Sequence, residues 1–140
     1  MDDNTQANLE FYRKLWDDIL NGGRFDLIDT HFSPDYSFKS PGALFTGIEA
    51  AKNHYGAYGS AFSDIEFVVH DAFGDGEKLA KHWTFRGTHT GDLMGIPPTG
   101  KRVEMSGVTL ARVVDGKVME EMDYAEDLSL MQQLGVIPEG

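Results

Sequence analysis

The sequence predicts an α+β domain: helices come first, an antiparallel sheet follows, and the helices pack on one face of that curved sheet. Three observations predict this. Apolar residues between Ala7 and Leu20 recur at helical spacing. From Ile65 onward, runs rich in β-branched and aromatic residues are divided by glycine-containing turns. The length, 140 residues with 41% hydrophobic and 25% charged, is that of one globular unit, so residues 1–140 are expected to form a single domain.

In the first helix Leu9, Phe11, Tyr12, Leu15, Trp16, Ile19 and Leu20 form one apolar stripe, and Asn21-Gly22-Gly23 ends it, because glycine enters the left-handed region without a Cβ penalty. Phe25, Leu27, Ile28 and Phe32 fit a short second helix that stops before Pro34. Tyr36 to Lys39 is expected to be extended and to close at Ser40-Pro41-Gly42, and helix returns from Ile48 to about Ser60 despite Gly56 and Gly59. Ile65 to His70 and Leu79 to Thr90 read as strands around Gly74-Asp75-Gly76. Gly91 to Gly100 reads as a loop, since Pro97-Pro98 cannot donate to a ladder. Val103 to Val114 and Lys117 to Tyr124 form a hairpin across Asp115-Gly116, and a short C-terminal helix follows.

Twelve basic against 23 acidic residues give a net charge of −11, which argues against nucleic acid and anionic membranes as partners. With no cysteine, disulfides, thiolate nucleophiles and cysteine-held metals are excluded. The acidic, polar N-terminus lacks the features of a signal peptide, no apolar run is long enough to span a bilayer, and the cytoplasm is the expected compartment. Nucleotide-binding glycine loops, serine-nucleophile elbows and paired histidine motifs are absent, and the five histidines have no ligand spacing, so neither metal nor cofactor is expected.

Chemistry is therefore expected from acid–base groups that folding brings together. The densest group is Glu120, Glu121, Asp123, Glu126 and Asp127 at the end of the last strand. Alternation places Glu120, Met122 and Tyr124 on one face and Met119, Glu121 and Asp123 on the other. A carboxylate on the inner face is desolvated and suited to act as base and then acid; on the surface, the same acids simply cap the C-terminal helix. His89, in Gly87-Thr88-His89-Thr90-Gly91, either exchanges a proton at a pocket mouth or hydrogen-bonds the loop backbone. Lys39 is an ordinary surface lysine unless buried. Trp16, Phe38, Phe45, Tyr55, Tyr58, Phe62, Trp83 and Phe85 either line a cavity for a flat hydrophobic ligand or fill the core.

The run from Gly87 to Lys101, G-T-H-T-G-D-L-M-G-I-P-P-T-G-K, resembles the signature loop of SnoaL-like polyketide cyclases. Asp115-Gly116-Lys117-Val118-x-Glu120, Leu128-x-Leu130-Met131-Gln132-Gln133-Leu134-Gly135, Phe25-x-Leu27-Ile28-Asp29, Phe32-Ser33-Pro34-Asp35-Tyr36 and Phe62-Ser63-Asp64 extend the likeness over nearly the whole chain. The resemblance implies a cystatin-like, nuclear-transport-factor-like cone around one deep pocket, commonly in a homodimer. It also implies cofactor-free aldol cyclisation of an aromatic polyketide by a pocket carboxylate. The family pattern I-x-E-x-W-x-x-x-D, laid on this chain, gives Val118-x-Glu120-x-Met122-x-x-x-Glu126. Glu126 then stands at the acid/base position, with Asp127 beside it and Met122 in place of the tryptophan. Lys39 and Trp16 stand where the family often has histidine and tyrosine.

Three readings follow. In the first, Glu126 is the general base of a cyclase acting on a small hydrophobic carbonyl compound, with Asp123 or Asp127 as the alternative carboxylate, His89 as partner, and Trp16, Phe38, Lys39, Tyr55, Trp83, Phe85 and Met122 lining the pocket. In the second, the chain carries or senses a hydrophobic ligand without catalysis. In the third, the fold serves an isomerase or an epoxide hydrolase, whose acids would be bridged by a buried Arg86 or Arg112.

Overall fold

The computed structural model describes residues 2–138. Helix α1 (Asp3–Trp16) starts where the Asp2 carboxylate accepts the Thr5 N–H at 2.7 Å, and it buries Leu9, Tyr12, Leu15 and Trp16 along the stripe read from the sequence. A π-helical turn, Asp17–Asn21, continues it. Asn21 ends that turn by pairing with the Phe67 backbone: Oδ1 accepts its N–H at 2.7 Å and Nδ2 donates to its carbonyl at 2.8 Å. Helix α2 (Leu27–His31) follows.

Strands β1 (Phe32–Ser40) and β2 (Ala43–Thr46) come next, then α3 (Ile48–Ala61), β3 (Phe62–Asp75), β4 (Lys78–His89), β5 (Arg102–Val114), β6 (Lys117–Ala125) and α4 (Asp127–Gln133). The six strands form one open sheet in the order β2-β1-β6-β5-β4-β3. Every pair is antiparallel except β1 with β6, which run parallel. That pair corrects the expectation of a purely antiparallel sheet, because β1 from the helical half of the chain inserts beside the last strand. β1 also begins earlier than the sequence suggests, and Pro34 is tolerated in it because the ladder with β6 is interrupted between Phe32 and Ser37. Phe25 of the segment before α2 packs where Gly59 of α3 has no side chain: a Cβ there would sit 2.6 Å from the Phe25 ring.

The helices cover one face of the sheet. On β5 that face carries Val103, Met105, Thr109, Ala111 and Val113, all buried at every second position. On β4 it carries Leu79, Lys81, Trp83 and Phe85. Gly107 lies opposite Trp83, and a Cβ there would come within 2.6 Å of the indole, so glycine allows the ring to lie across β5. Strand β6 breaks simple alternation: Arg112 pairs with Glu120 but Val113 pairs with Val118, so Met119 is an extra residue in a bulge. The bulge lets both Val118 and Glu121 face the core. Among the described residues no helix is long and apolar enough to cross a membrane.

Candidate functional site

Beneath α1 and α3 the helix-covered face of the sheet encloses a cavity of about 320 Å³. Cross-strand pairing builds its polar floor in two adjacent rows. Leu79, Ala111 and Glu121 are opposite one another on β4, β5 and β6, and so are Lys81, Thr109 and Asp123 in the next row. Trp16, Phe38, Tyr55, Trp83 and Phe85 supply apolar wall, α4 contributes Asp127 and Leu130, and Met94 reaches in from the proline loop.

Glu121 is 1% exposed and is held by four neutral donors. Oε2 accepts from the Tyr12 hydroxyl and from Trp16 Nε1 at 3.0 Å; Oε1 accepts from Tyr36 at 2.8 Å and Tyr55 at 3.1 Å. A carboxylate offers about four lone-pair sites, and all are engaged. Burial, and then the Glu121 charge, push the hydroxyls of Tyr12 and Tyr55 well above the ordinary tyrosine range, and Tyr36 moves the same way. The three phenols remain donors, and the Glu121 carboxylate ties α1, α3 and β1 to β6.

Asp123 differs in every respect that matters for proton transfer. One oxygen, Oδ1, accepts a 2.6 Å hydrogen bond from Thr109 Oγ1, and Thr109 Oγ1 in turn accepts from Trp83 Nε1 at 2.9 Å. Oδ2 enters no hydrogen bond among the described residues while the residue lines the cavity. Burial, and next the charge of Glu121, raise its pKa to about 7; the Thr109 hydrogen bond and the Lys81 charge oppose this. A carboxyl group that gains and loses its proton near neutrality, with one free oxygen on a largely apolar cavity, is equipped for general acid–base catalysis.

Lys81 is 3% exposed and lies over the Tyr12 and Trp16 rings, with Nζ 4.4 and 4.6 Å from their centroids. Burial lowers its pKa to about 8 against the opposing fields of Glu121 and Asp123. His54 packs at a tilt against Phe38 at the cavity wall, ring centroids 4.8 Å apart, and burial lowers its pKa.

The residues singled out from the sequence separate into those that line the cavity and those that do not. Trp16, Phe38, Tyr55, Trp83 and Phe85 line the cavity, as do Asp123 and Asp127. Glu126, Lys39 and Met122 do not. Lys39 and Met122 are cross-strand partners on β1 and β6 and share the opposite face of the sheet, where Lys39 is exposed. Glu126 is exposed, its Oε1 accepts the Ser106 N–H at 2.8 Å, and it borders a shallow groove with Val108 and Tyr124 outside the cavity. The family pattern, as laid on the chain, falls on Glu120 and Met122, which are on the outward phase of β6, and on exposed Glu126 just beyond the strand; of the cavity carboxylates, Asp123 is on the inward phase of β6 and Asp127 opens α4.

His89 is fully buried and clamps the loop rather than facing the cavity. Its N–H donates to the Lys101 carbonyl at 2.8 Å, its own carbonyl accepts from Gly100 at 2.8 Å, and Nδ1 accepts the Thr99 N–H at 3.2 Å. Arg86 pairs with Glu104, and Arg112 lies near Glu77 and Glu120, all at the partly exposed outer surface. Among the described residues no arginine lines the cavity, so the acid–arginine–acid arrangement required by an epoxide-opening site is absent.

Sequence reading singles out neither Lys81 and Thr109 nor Tyr12 and Tyr36 as site residues, and it reaches Glu121 only as one member of the acidic group. A usable signal existed for Lys81, which stands in phase with Leu79, Trp83 and Phe85.

Comparison with known proteins agrees with this architecture. Residues 9–134 match the model of the SnoaL-like polyketide cyclase family. Nogalonic acid methyl ester cyclase of Streptomyces nogalater is 31% identical over 128 residues, spanning 83% of this chain and 89% of the relative. Aklanonic acid methyl ester cyclase DnrD of Streptomyces peucetius is 41% identical over 49 residues, about a third of each chain (35% and 34%). Among solved structures, a candidate SnoaL-like polyketide cyclase from Jannaschia sp. CCS1 superposes with a TM-score of 0.88 at 23% identity, over 99% of this chain and 98% of that one. AclR of Streptomyces galilaeus, a candidate hydroxylase, superposes at 0.85 with 26% identity, over 97% and 85%. The open six-stranded sheet with its N-terminal helices is the nuclear-transport-factor-like cone, and the chain belongs to the SnoaL-like polyketide cyclase family.

Proposed function

We propose that this protein is a cyclase that closes a ring in a polyketide-like carbonyl substrate by intramolecular aldol addition, with Asp123 as the acid–base group. One observation carries the reading: Asp123 presents a free carboxyl oxygen to a largely apolar cavity, where burial pushes its pKa up to about 7. The relatives named as methyl ester cyclases support the substrate class.

In this reading Asp123 Oδ2 takes the proton from the carbon α to a carbonyl, and the C–H electron pair forms the enolate. The enolate carbon attacks a second carbonyl of the same molecule, and the protonated Asp123 returns its proton to the new alkoxide. One C–C bond forms and the carboxylate is regenerated. The cavity supplies orientation and excludes water, and Thr109 fixes the carboxyl plane.

Nogalonic acid methyl ester and 2-tetralone, followed respectively by ring closure and by deuterium uptake at the α-carbon, test the proposal. Wild type should turn over the first or exchange the second. Asp123→Asn should lose about 10²–10⁴-fold in that rate. Unchanged rates in the variant contradict the role of Asp123. Tight binding by wild type with neither reaction would favour the reading as a ligand carrier.

A further inference from the structure

Lys81 is the one lysine or arginine lining the cavity among the described residues, and its hydrogen-bonding capacity is unused. Its Nζ enters no hydrogen bond or ion pair among the described residues, although the residue is 3% exposed. Glu121 cannot serve as its partner, since three phenols and an indole already occupy both of its oxygens. The faces of Tyr12 and Trp16 stabilise the ammonium charge but accept none of its three N–H donors in a conventional hydrogen bond. An ammonium in this state, open to the cavity it lines, is suited to a ligand that brings an oxygen acceptor.

We propose that Lys81 is an anion subsite that takes the ionised oxygen of a flat, acidic enol, the deprotonated form of a 1,3-dicarbonyl or vinylogous acid. Register places it in the same cross-strand row as Asp123, one strand apart on either side of Thr109, so a carbonyl oxygen at Lys81 lies beside a carbon within reach of Asp123. The aromatic walls suit a planar ring system. In the reaction proposed above, the enolate oxygen forms at Lys81 when Asp123 removes the α-proton; the electron pair of the carbonyl π bond moves onto that oxygen, the ammonium donates to it, and no bond to nitrogen forms. This catalytic part rests on Asp123 being the base. Binding of the anion does not.

The test uses 2-hydroxy-1,4-naphthoquinone, ionised at about pH 6 where Asp123 is mostly protonated, and its 2-methoxy ether, of the same shape but neutral. Calorimetry should show wild type binding the hydroxyquinone anion at least about tenfold more tightly than the ether. Lys81→Met should abolish that preference while leaving ether affinity within a few-fold, and Lys81→Arg should keep part of it. Equal affinities in wild type, no binding of either quinone, or a preference that survives Lys81→Met would overturn the subsite. Should Lys81→Met not fold, the wild-type comparison decides alone. Asp123→Asn should retain the preference. If the preference is present but Asp123→Asn leaves α-proton exchange intact, the anion subsite stands and the assignment of the base falls.

Discussion

Thr109 Oγ1 donates a 2.6 Å hydrogen bond to Asp123 Oδ1 from the position directly opposite on β5, while accepting from Trp83 Nε1. A single hydroxyl therefore orients the carboxyl group and stabilises its ionised form. Thr109→Val removes both functions. The midpoint of the rate–pH profile should move to higher pH, because the one hydrogen bond that lowers the Asp123 pKa is gone. Unfolding in urea should also show a loss of about 1–3 kcal/mol from the stranded indole N–H.

Glu121 acts on Asp123 through charge rather than contact. Replacing it with glutamine removes the largest charge effect that raises the Asp123 pKa, so the rate–pH midpoint should fall while burial keeps it above that of a free aspartate. The same change leaves three phenols and an indole without their carboxylate. A stability loss on the order of 3–5 kcal/mol is expected in denaturant titrations.

The proposed base should be costly to keep. Asp123 holds its proton up to about pH 7 when folded but only to about pH 4 when unfolded, so between these values the folded state binds more protons and its stability falls as pH rises. Asp123→Asn should therefore stabilise the protein at about pH 7.5, by an amount on the order of 1–3 kcal/mol, and the gain should disappear near pH 4. Urea midpoints at the two pH values measure this directly.

Glu126 and Asp127 are adjacent yet face different surroundings. Glu126→Gln should leave turnover within about twofold of wild type, since glutamine can still accept the Ser106 N–H on the outer surface. Asp127→Asn, at the cavity edge, should change KM more than kcat. Steady-state kinetics of the two variants separate these outcomes.

Much of the architecture was legible from periodicity. The α1 stripe, the α3 span and the Asp115-Gly116 hairpin follow from rules that act over a few residues. The entry of β1 beside β6 was not legible, because parallel pairing of segments some eighty residues apart leaves no local mark. The site was half legible for a similar reason. Strict alternation places Glu121 and Asp123 together, but which face meets the helices depends on packing. The family pattern falls instead on Glu120 and Met122, on the outward phase of β6, and on exposed Glu126 beyond its end. His89 lies within the most recognisable motif of the chain, and its visible task is to hold the loop that carries Met94 to the cavity.

The proposed role of Asp123 requires a carboxyl group that exchanges its proton near neutrality inside the cavity. Carbon-detected NMR of the aspartate carboxyl groups, compared between wild type and Asp123→Asn across about pH 3 to 9, tests it most directly. One resonance should have a midpoint near 7 and be missing from the variant. An Asp123 resonance titrating near 4, with the ordinary aspartates, would contradict it.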